Sequence, residues 1–164
     1  MRPHLKCLSF ATATLFSLTA PLFLSPHLSL PAVAQTTQNR KAEAEKLLQM
    51  GNQQYRQGKF RQALETFQQV LMLCQQIKDC SSEGTTLNNT GLTHHSLGQY
   101  LQALEFYQQA LAIFKKIDNR SGEGITFNNI GLTYHSLGQY SQALKYYQQA
   151  LVVIKNIRTL AKVS

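Results

Sequence analysis

Polar side chains of the kinds used in binding and catalysis recur at a fixed interval in this chain. The stretch NNTGLTHHSLGQY, residues 88–100, returns forty residues later as NNIGLTYHSLGQY, residues 128–140. Each copy holds two adjacent asparagines and, in the same place, a histidine, His95 or His135. Asparagine offers both a hydrogen-bond donor and an acceptor, and histidine titrates near neutral pH. Two copies of one polar constellation suit either a duplicated reactive site or one repeated surface.

The spacing of these residues gives little support to metal binding or catalysis. His94 and His95 are adjacent, so on a helix they point in different directions and do not chelate one ion. His95 and His135 share a face, but neighbouring helices lie about 8–10 Å apart and no further ligand accompanies them. No nucleophile stands at a recognisable spacing from a base, and no glycine-rich phosphate loop follows a strand. We therefore predict no enzymatic activity, no metal and no cofactor.

Two cysteines lie in the repeating part of the chain. Cys74 and Cys80 are six residues apart, which is about 9 Å along one continuous helix and too far for a disulfide. They can pair only if a helix ends between them, as the stretch KDCSS at residues 78–82 allows. Two alternatives stay open, namely a disulfide in an oxidising compartment or two free thiols.

The N-terminal region has the order of segments that is typical of a secretory signal peptide. A basic start, MRPHLK, precedes a mostly apolar run, and small residues follow at Ala32 and Ala34. We predict that residues 1–34 are a signal peptide cleaved near Ala34, and that the mature chain is exported to a periplasmic or extracellular location. The alternative is a membrane anchor, which is disfavoured because three prolines interrupt the run before about 20 apolar residues accumulate.

The charge balance indicates a solvated surface. Sixteen basic and eight acidic side chains give a net charge of +8. The charges are scattered, and the longest basic runs are pairs such as Lys115 with Lys116. No recognisable motif accompanies them, so we predict no nucleic-acid binding.

The rest of the chain is a repeat. We expect the polar residues 35–42, QTTQNRKA, to form a flexible leader before it. Residues 83–122 and 123–162 are identical at 24 of 40 positions, and a weaker copy begins near Glu43. Apolar residues recur at three- or four-residue steps in each copy, which indicates helices, and no strand pattern competes. We predict an all-α domain over residues 43–164, with three helix-turn-helix repeats at about 44–77, 84–117 and 124–157.

Turn residues mark the boundaries between these helices. Gly98 stands where a helix C-terminus is expected, because glycine takes the left-handed conformation without a side-chain penalty. Between units, Ser81 and Ser121 are placed to cap the next helix, with Glu83 and Glu123 in its first turn.

Three residue types in register make the chain resemble the tetratricopeptide repeat family. The family pattern couples a glycine in the first helix, an alanine early in the second helix and an aromatic residue four positions later. The small pair is expected to let the two helices cross closely. These positions are Gly51, Ala63 and Phe67; Gly91, Ala103 and Tyr107; and Gly131, Ala143 and Tyr147.

The 40-residue period is similar to the longer repeats found in kinesin light chains. The resemblance implies a right-handed superhelical solenoid in which the first helices line a concave groove. It also implies a non-enzymatic scaffold that binds a protein or peptide partner there. The alternative is that the groove asparagines bond only to neighbouring units. The candidate groove residues are Asn52, Tyr55, Asn88, Asn89, His95, Asn128, Asn129 and His135.

One subclass of the family holds a partner's terminal carboxylate with cationic side chains. At the matching positions this chain has Leu48, Ile125 and Asn129 instead. The resemblance therefore implies a ligand other than a terminal carboxylate.

The last predicted helix is apolar without a following unit to cover it. The stretch ALVVIKNIRTLAKVS, residues 150–164, keeps apolar residues where terminal repeats normally carry a polar outer face. Either this surface pairs with another chain, as in a homo-oligomer, or the chain is a shortened member of a longer array. Our hypothesis is self-association through this helix, for which light scattering is the test.

Overall fold

The structure is a computed structural model that describes the backbone of residues 29–160 and the side chains of residues 36–79 and 81–159. Residues 1–28 of the predicted signal peptide lie outside this range, and so do the side chains of its last six residues, so export stays a prediction. Within the described range, none of the helices is long and apolar enough to span a membrane.

Six helices form three successive pairs, and residues 29–160 contain no strand. The all-α prediction and the three helix-turn-helix repeats are therefore confirmed. The helices are α1 (Ser29–Arg56), α2 (Phe60–Ile77), α3 (Cys80–Ser96), α4 (Tyr100–Lys116), α5 (Arg120–Ser136) and α6 (Tyr140–Leu160).

The first helix is longer than the sequence pattern predicts. Residues 35–42, expected to be a flexible leader, are helical and belong to α1. No glycine or proline interrupts the chain between Pro31 and Gly51, so each added residue extends the ladder of backbone hydrogen bonds. The side chains of residues 36–43 are exposed, so this extension buries little surface.

Two kinds of turn connect the helices. Within each pair the chain reverses at a glycine with positive φ, and at Gly98 this angle is 73°. Between pairs, non-glycine residues take the left-handed conformation, namely Lys78 with φ 56° and Asp118 with φ 57°. The predicted glycine stops are thus confirmed, whereas the turns between pairs use ordinary residues.

The helix caps differ from the prediction. The Asp79 carboxylate accepts a hydrogen bond from the backbone N–H of Ser82 at 3.2 Å. The Asn119 carboxamide likewise accepts one from the backbone N–H of Gly122 at 2.9 Å. The proposed capping serines, Ser81 and Ser121, lie inside the helices instead, because α3 and α5 begin directly after Asp79 and Asn119. Aspartate and asparagine are at least as good as serine at this position.

The helices of a pair cross where the repeated glycine faces the repeated aromatic ring. A Cβ atom on Gly91 would lie 2.7 Å from Cε1 of Tyr107 and 3.1 Å from the carbonyl oxygen of Ala103. Gly51 and Gly131 stand equally close to the corresponding rings of the other two pairs. The predicted packing role of these glycines is confirmed.

The three pairs are stacked so that their first helices lie closer to one another than their second helices do. Cα atoms of α1 and α3, and of α3 and α5, approach within 8 Å. Among the described residues, no Cα atom of α2 comes that close to α4, nor one of α4 to α6. The stack therefore curves toward the first helices, and we call the surface formed by α1, α3 and α5 the inner face.

Candidate functional site

Asparagine side chains join neighbouring helices across the inner face. The Asn89 carboxamide on α3 donates from Nδ2 to Oδ1 of Asn52 on α1, at 2.9 Å. Both side chains are half-buried. Oδ1 of Asn89 and Nδ2 of Asn52 make no hydrogen bond within the described part of the chain, so this pair leaves one acceptor and one donor unused.

A second asparagine pair joins α3 to α5. The buried Asn88 accepts at Oδ1 from Nδ2 of Asn129 at 3.1 Å. The Thr126 hydroxyl lies 3.2 Å from the same oxygen and 2.8 Å from the carbonyl oxygen of Gly122. The other end of the Asn88 carboxamide has no partner among residues 36–159, and Asn88 lines a cleft. Its position is therefore fixed by α5, while half of its hydrogen-bonding capacity stays open.

Two clefts open between the first helices. One, of about 240 Å³, lies between α1 and α3, and the other, of about 290 Å³, lies between α3 and α5. Asn89 lines both clefts, and Arg56 is the sole charged residue among the residues that line them. The first is lined by Asn52, Tyr55, Arg56, Phe67, Asn89 and Leu92, and the second by Thr85, Asn88, Asn89, Phe114, Asn119, Ser121, Gly122 and Ile125.

The aromatic and histidine positions of the inner face also connect neighbouring pairs. The Tyr55 hydroxyl lies 3.0 Å from Oγ of Ser96 and, forty residues on, Nε2 of His95 lies 3.2 Å from Oγ of Ser136. Each serine hydroxyl already donates to a carbonyl oxygen of its own helix. Tyr55 and His95 are therefore the donors, which places a proton on Nε2 of His95. Burial lowers the pKa of His95, which favours the neutral imidazole.

The remaining two candidates stand apart from this network. Asn128 is exposed and makes no hydrogen bond within the described residues. His135 is exposed and contacts the Tyr140 ring edge-on, with centroids 5.2 Å apart. The structure thus brings together six of the eight predicted residues. Asn128 and His135 lie on α5 but are exposed and make no hydrogen bond to a neighbouring helix pair within the described residues.

Sequence reasoning missed three partners of this network. Ser96, Ser136 and Thr126 hold Tyr55, His95 and Asn88 in place. A signal for them was present, because serine follows His95 and His135 at the same repeat position and threonine recurs at positions 86 and 126. Repeated small hydroxyl residues are easily taken for helix-surface residues.

Within residues 36–159, the reactive side chains away from the inner face form no second site. Cys74 is a free, buried thiol, and the Cys80 side chain lies outside the described residues. Burial, together with the charges of Asp79 and Glu83, raises the pKa of the Cys74 thiol to about 11. A thiol of this kind is mostly protonated at neutral pH and therefore weakly reactive. In the described part of the chain, no three histidine, cysteine or acidic residues are grouped to hold a metal ion.

Stacked helix pairs with a small-to-aromatic crossing and a polar inner face define a helical-repeat protein of the solenoid class. The family model for the tetratricopeptide repeat matches residues 42–116 and 85–155. The chain therefore belongs to the tetratricopeptide repeat family.

Solved structures of the same fold agree with this assignment. The tetratricopeptide repeat domain of Arabidopsis FLU superposes with a TM-score of 0.67 at 26% identity, over 71% of this chain and 98% of that one. The second repeat domain of Spaghetti (RPAP3), bound to the HSP90 peptide SRMEEVD, gives 0.58 at 18% identity, over 73% and 98%. The TPR2AB domain of yeast Sti1, in complex with pHSP90, gives 0.61 at 23% identity, over 74% and 47%. No curated protein matches the sequence.

Proposed function

We propose that this protein is a non-enzymatic scaffold whose inner face binds an extended segment of a partner protein. The observation that carries the proposal is the half-used asparagine pair Asn52–Asn89, which keeps one donor and one acceptor free beside the two clefts. A peptide group of an extended chain offers one C=O and one N–H, which match that donor and acceptor.

The hydrogen bonds between units do not argue against a ligand. An asparagine carboxamide has two ends, and the bond between Asn52 and Asn89 uses one end of each. This bond also fixes the orientation of the unused ends before a ligand arrives, which reduces the entropy lost on binding. The two alternatives left open by the sequence, contacts between units or contacts with a ligand, are therefore compatible at this pair.

Apart from Arg56, the clefts are lined by uncharged residues, which favours a segment that brings apolar side chains into them. Leu92, Phe67 and Ile125 give the clefts apolar walls, and Ile125 is exposed. Apolar side chains of a partner can enter them while its main chain meets the asparagines. Two solved domains of this fold hold HSP90-derived ligands, which supports a peptide as the ligand class. The presence of Leu48, Ile125 and Asn129 in place of cations argues against a terminal carboxylate as the contact.

A peptide selection followed by NMR tests the proposal. Peptides are selected from a random library on the folded protein, and the best one is titrated into the ¹⁵N-labelled chain. We expect the side-chain NH₂ signals of Asn52 and Asn89 to shift, together with the backbone signals of Leu92. Asn89→Ala should weaken binding by about threefold to tenfold, the equivalent of one hydrogen bond.

Asn128→Ala is the matched control, because Asn128 is an asparagine of the next repeat, on α5, that stands apart from the network. This variant should bind the peptide as the wild type does, and circular dichroism should show unchanged helicity for both variants. Selected peptides that shift only signals of α2, α4 and α6, or the failure to select any peptide, would overturn the proposal.

A further inference from the structure

The third helix pair exposes an apolar surface on α6. The equivalent surface of the second pair, on α4, is buried. Leu104 and Phe114 on α4 are 7% and 3% exposed. The residues at the same repeat positions on α6, Leu144 and Ile154, are 58% and 46% exposed. Tyr147 and Leu151 lie between these two residues on α6, half-buried and exposed. We call the four residues Leu144, Tyr147, Leu151 and Ile154 the α6 docking face.

The equivalent surface of α4 shows what kind of element fits. Ile130 of α5 packs on Ala103, Leu104 and Tyr107. The first turn of α5 lies against the last turn of α4, since a Cβ atom on Gly122 would lie 2.6 Å from the ring of Phe114. The α4 surface is thus covered by a helix that presents small and β-branched side chains.

An acidic residue accompanies each of the two covering helices. Glu83 and Glu123 lie in the first turns of α3 and α5, where Glu123 pairs with Arg120 of its own helix at 3.5 Å. Oε1 of Glu83 lies 3.5 Å from Nε2 of Gln75 in the last turn of α2. The residue of α6 at the position of Gln75 is the exposed Lys155. An acidic residue placed as Glu83 is would therefore meet a cation on α6.

The charges of α6 also favour an acidic partner. The segment Tyr140–Leu160 contains no acidic residue and exposes Lys145, Lys155 and Arg158. An apolar stripe flanked by uncompensated positive charge suits a partner that carries negative charge beside its own apolar stripe.

A second copy of this chain fits less well in either orientation. The outer surface of α1 has Lys46, Met50 and Gln53 at the repeat positions where α5 has Thr126, Ile130 and Thr133, so the α1 of a second copy presents a charge to the docking face.

Pairing α6 with the α6 of a second copy brings two basic helices together without an acidic residue on either. The Coulomb interaction between them is repulsive. A second copy of this chain, which the sequence analysis expected here, is therefore a less favoured occupant than another protein.

We propose that the α6 docking face binds an amphipathic helix of another protein, with small or β-branched residues along its buried stripe and an acidic residue in its first turn. The incoming helix packs on α6 as α5 packs on α4, with its acidic residue placed as Glu83 is placed on α2, beside Lys155. This surface is separate from the inner face, so the two proposals stand independently.

A tethered probe tests this proposal. The probe is a copy of residues 119–137, the α5 segment, with Arg120→Ala so that Glu123 has no ion-pair partner within the probe. It is attached after Ser164 by a flexible Gly-Ser linker, which gives it a local concentration in the millimolar range. We expect the tether to raise Tm by about 2–4 °C, the shift for about 1 kcal/mol in a chain of this size. Leu144→Glu should abolish this gain. Leu101→Glu, a change at an exposed leucine of α4, should retain it.

A charge swap tests whether the gain in Tm depends on the contact between the acidic residue of the probe and Lys155, rather than only on the helicity of the probe. Changing Glu123→Lys in the tether alone should reduce the gain in Tm, and adding Lys155→Glu on α6 should restore part of it. A tether without effect, or a loss that Lys155→Glu does not restore, would overturn the proposal. Light scattering on the protein without a tether completes the test, because a stable dimer that Leu144→Glu dissociates would make a second copy the occupant instead.

Discussion

The second and third helix pairs have similar sequences and different surroundings. Asn88 is buried and bonded to α5, whereas Asn128, at the same repeat position, is exposed. His95 is half-buried and bonded to Ser136, whereas His135 is exposed. In a solenoid each repeat contacts mainly its neighbours, so the role of a residue depends on the next pair in the stack. Identity between repeats therefore does not imply identity of role.

The largest expected contrast is at the leucines of the second helices. Leu104→Ala should lower the free energy of unfolding by about 2–5 kcal/mol, because it opens a cavity against α5. Leu144→Ala should change it by about 0.5 kcal/mol or less, because this side chain is exposed. Urea unfolding followed by circular dichroism measures both. Equal losses would show that the α6 docking face is covered in solution.

The crossing glycines should show a smaller contrast. Gly91→Ala places a Cβ atom against the fully buried ring of Tyr107 and should cost about 1–3 kcal/mol of stability, the range for overpacking. Gly131→Ala meets Tyr147 at a similar distance, but that ring is half-buried and has room to turn outward. We expect the smaller loss at Gly131 in the same unfolding measurement, and the reverse order would contradict this difference in packing.

The asparagines test the network itself. Asn88→Ala removes the acceptor of the half-buried Asn129 and should cost about 0.5–1.5 kcal/mol, the net contribution of one hydrogen bond. Asn128→Ala should be neutral within about 0.5 kcal/mol. Thermal unfolding of the two variants gives the comparison, and a neutral Asn88→Ala would mean that the Asn88–Asn129 bond does not join the two pairs.

The smallest expected effect is the pH dependence at His95. Burial lowers the pKa of His95 in the folded state, so the folded chain binds this proton less readily than the unfolded chain. Its stabilising contribution is present above the ordinary pKa of about 6.5 and is lost as the pH falls through the lower folded value. The free energy of unfolding of the wild type minus that of His95→Gln should be constant above about pH 7. Below about pH 6.5 this difference should decrease, because the wild type loses stability that the variant keeps. A difference that does not change with pH would count against this burial effect.

The sequence predicted the parts of the fold that depend on one repeat at a time. The close approach at Gly51, Gly91 and Gly131 follows from small residues kept in register with an aromatic ring, and each instance is local to one helix pair. The turn at Gly98 follows from the backbone freedom of glycine.

The contacts between repeats were not predicted in detail. Asn88 and Thr126 are 38 residues apart, and their contact depends on the angle at which α5 lies on α3. Periodicity places a residue on a face of its helix but does not give that angle, so it could not separate the bonded Asn88 from the open Asn128. The caps at Asp79 and Asn119 were missed for a simpler reason, because several adjacent polar residues compete to begin the helix.

The order of contacts along the stack also has a consequence for how the chain folds. Within residues 29–160, each helix contacts only the next one or two helices along the chain. The loops closed by these contacts are short, so little chain entropy opposes their formation, and a chain of this topology should fold quickly. Folding can begin in any of the three pairs and spread to its neighbours. The protein therefore needs no single nucleus, and any one helix pair is a sufficient starting point.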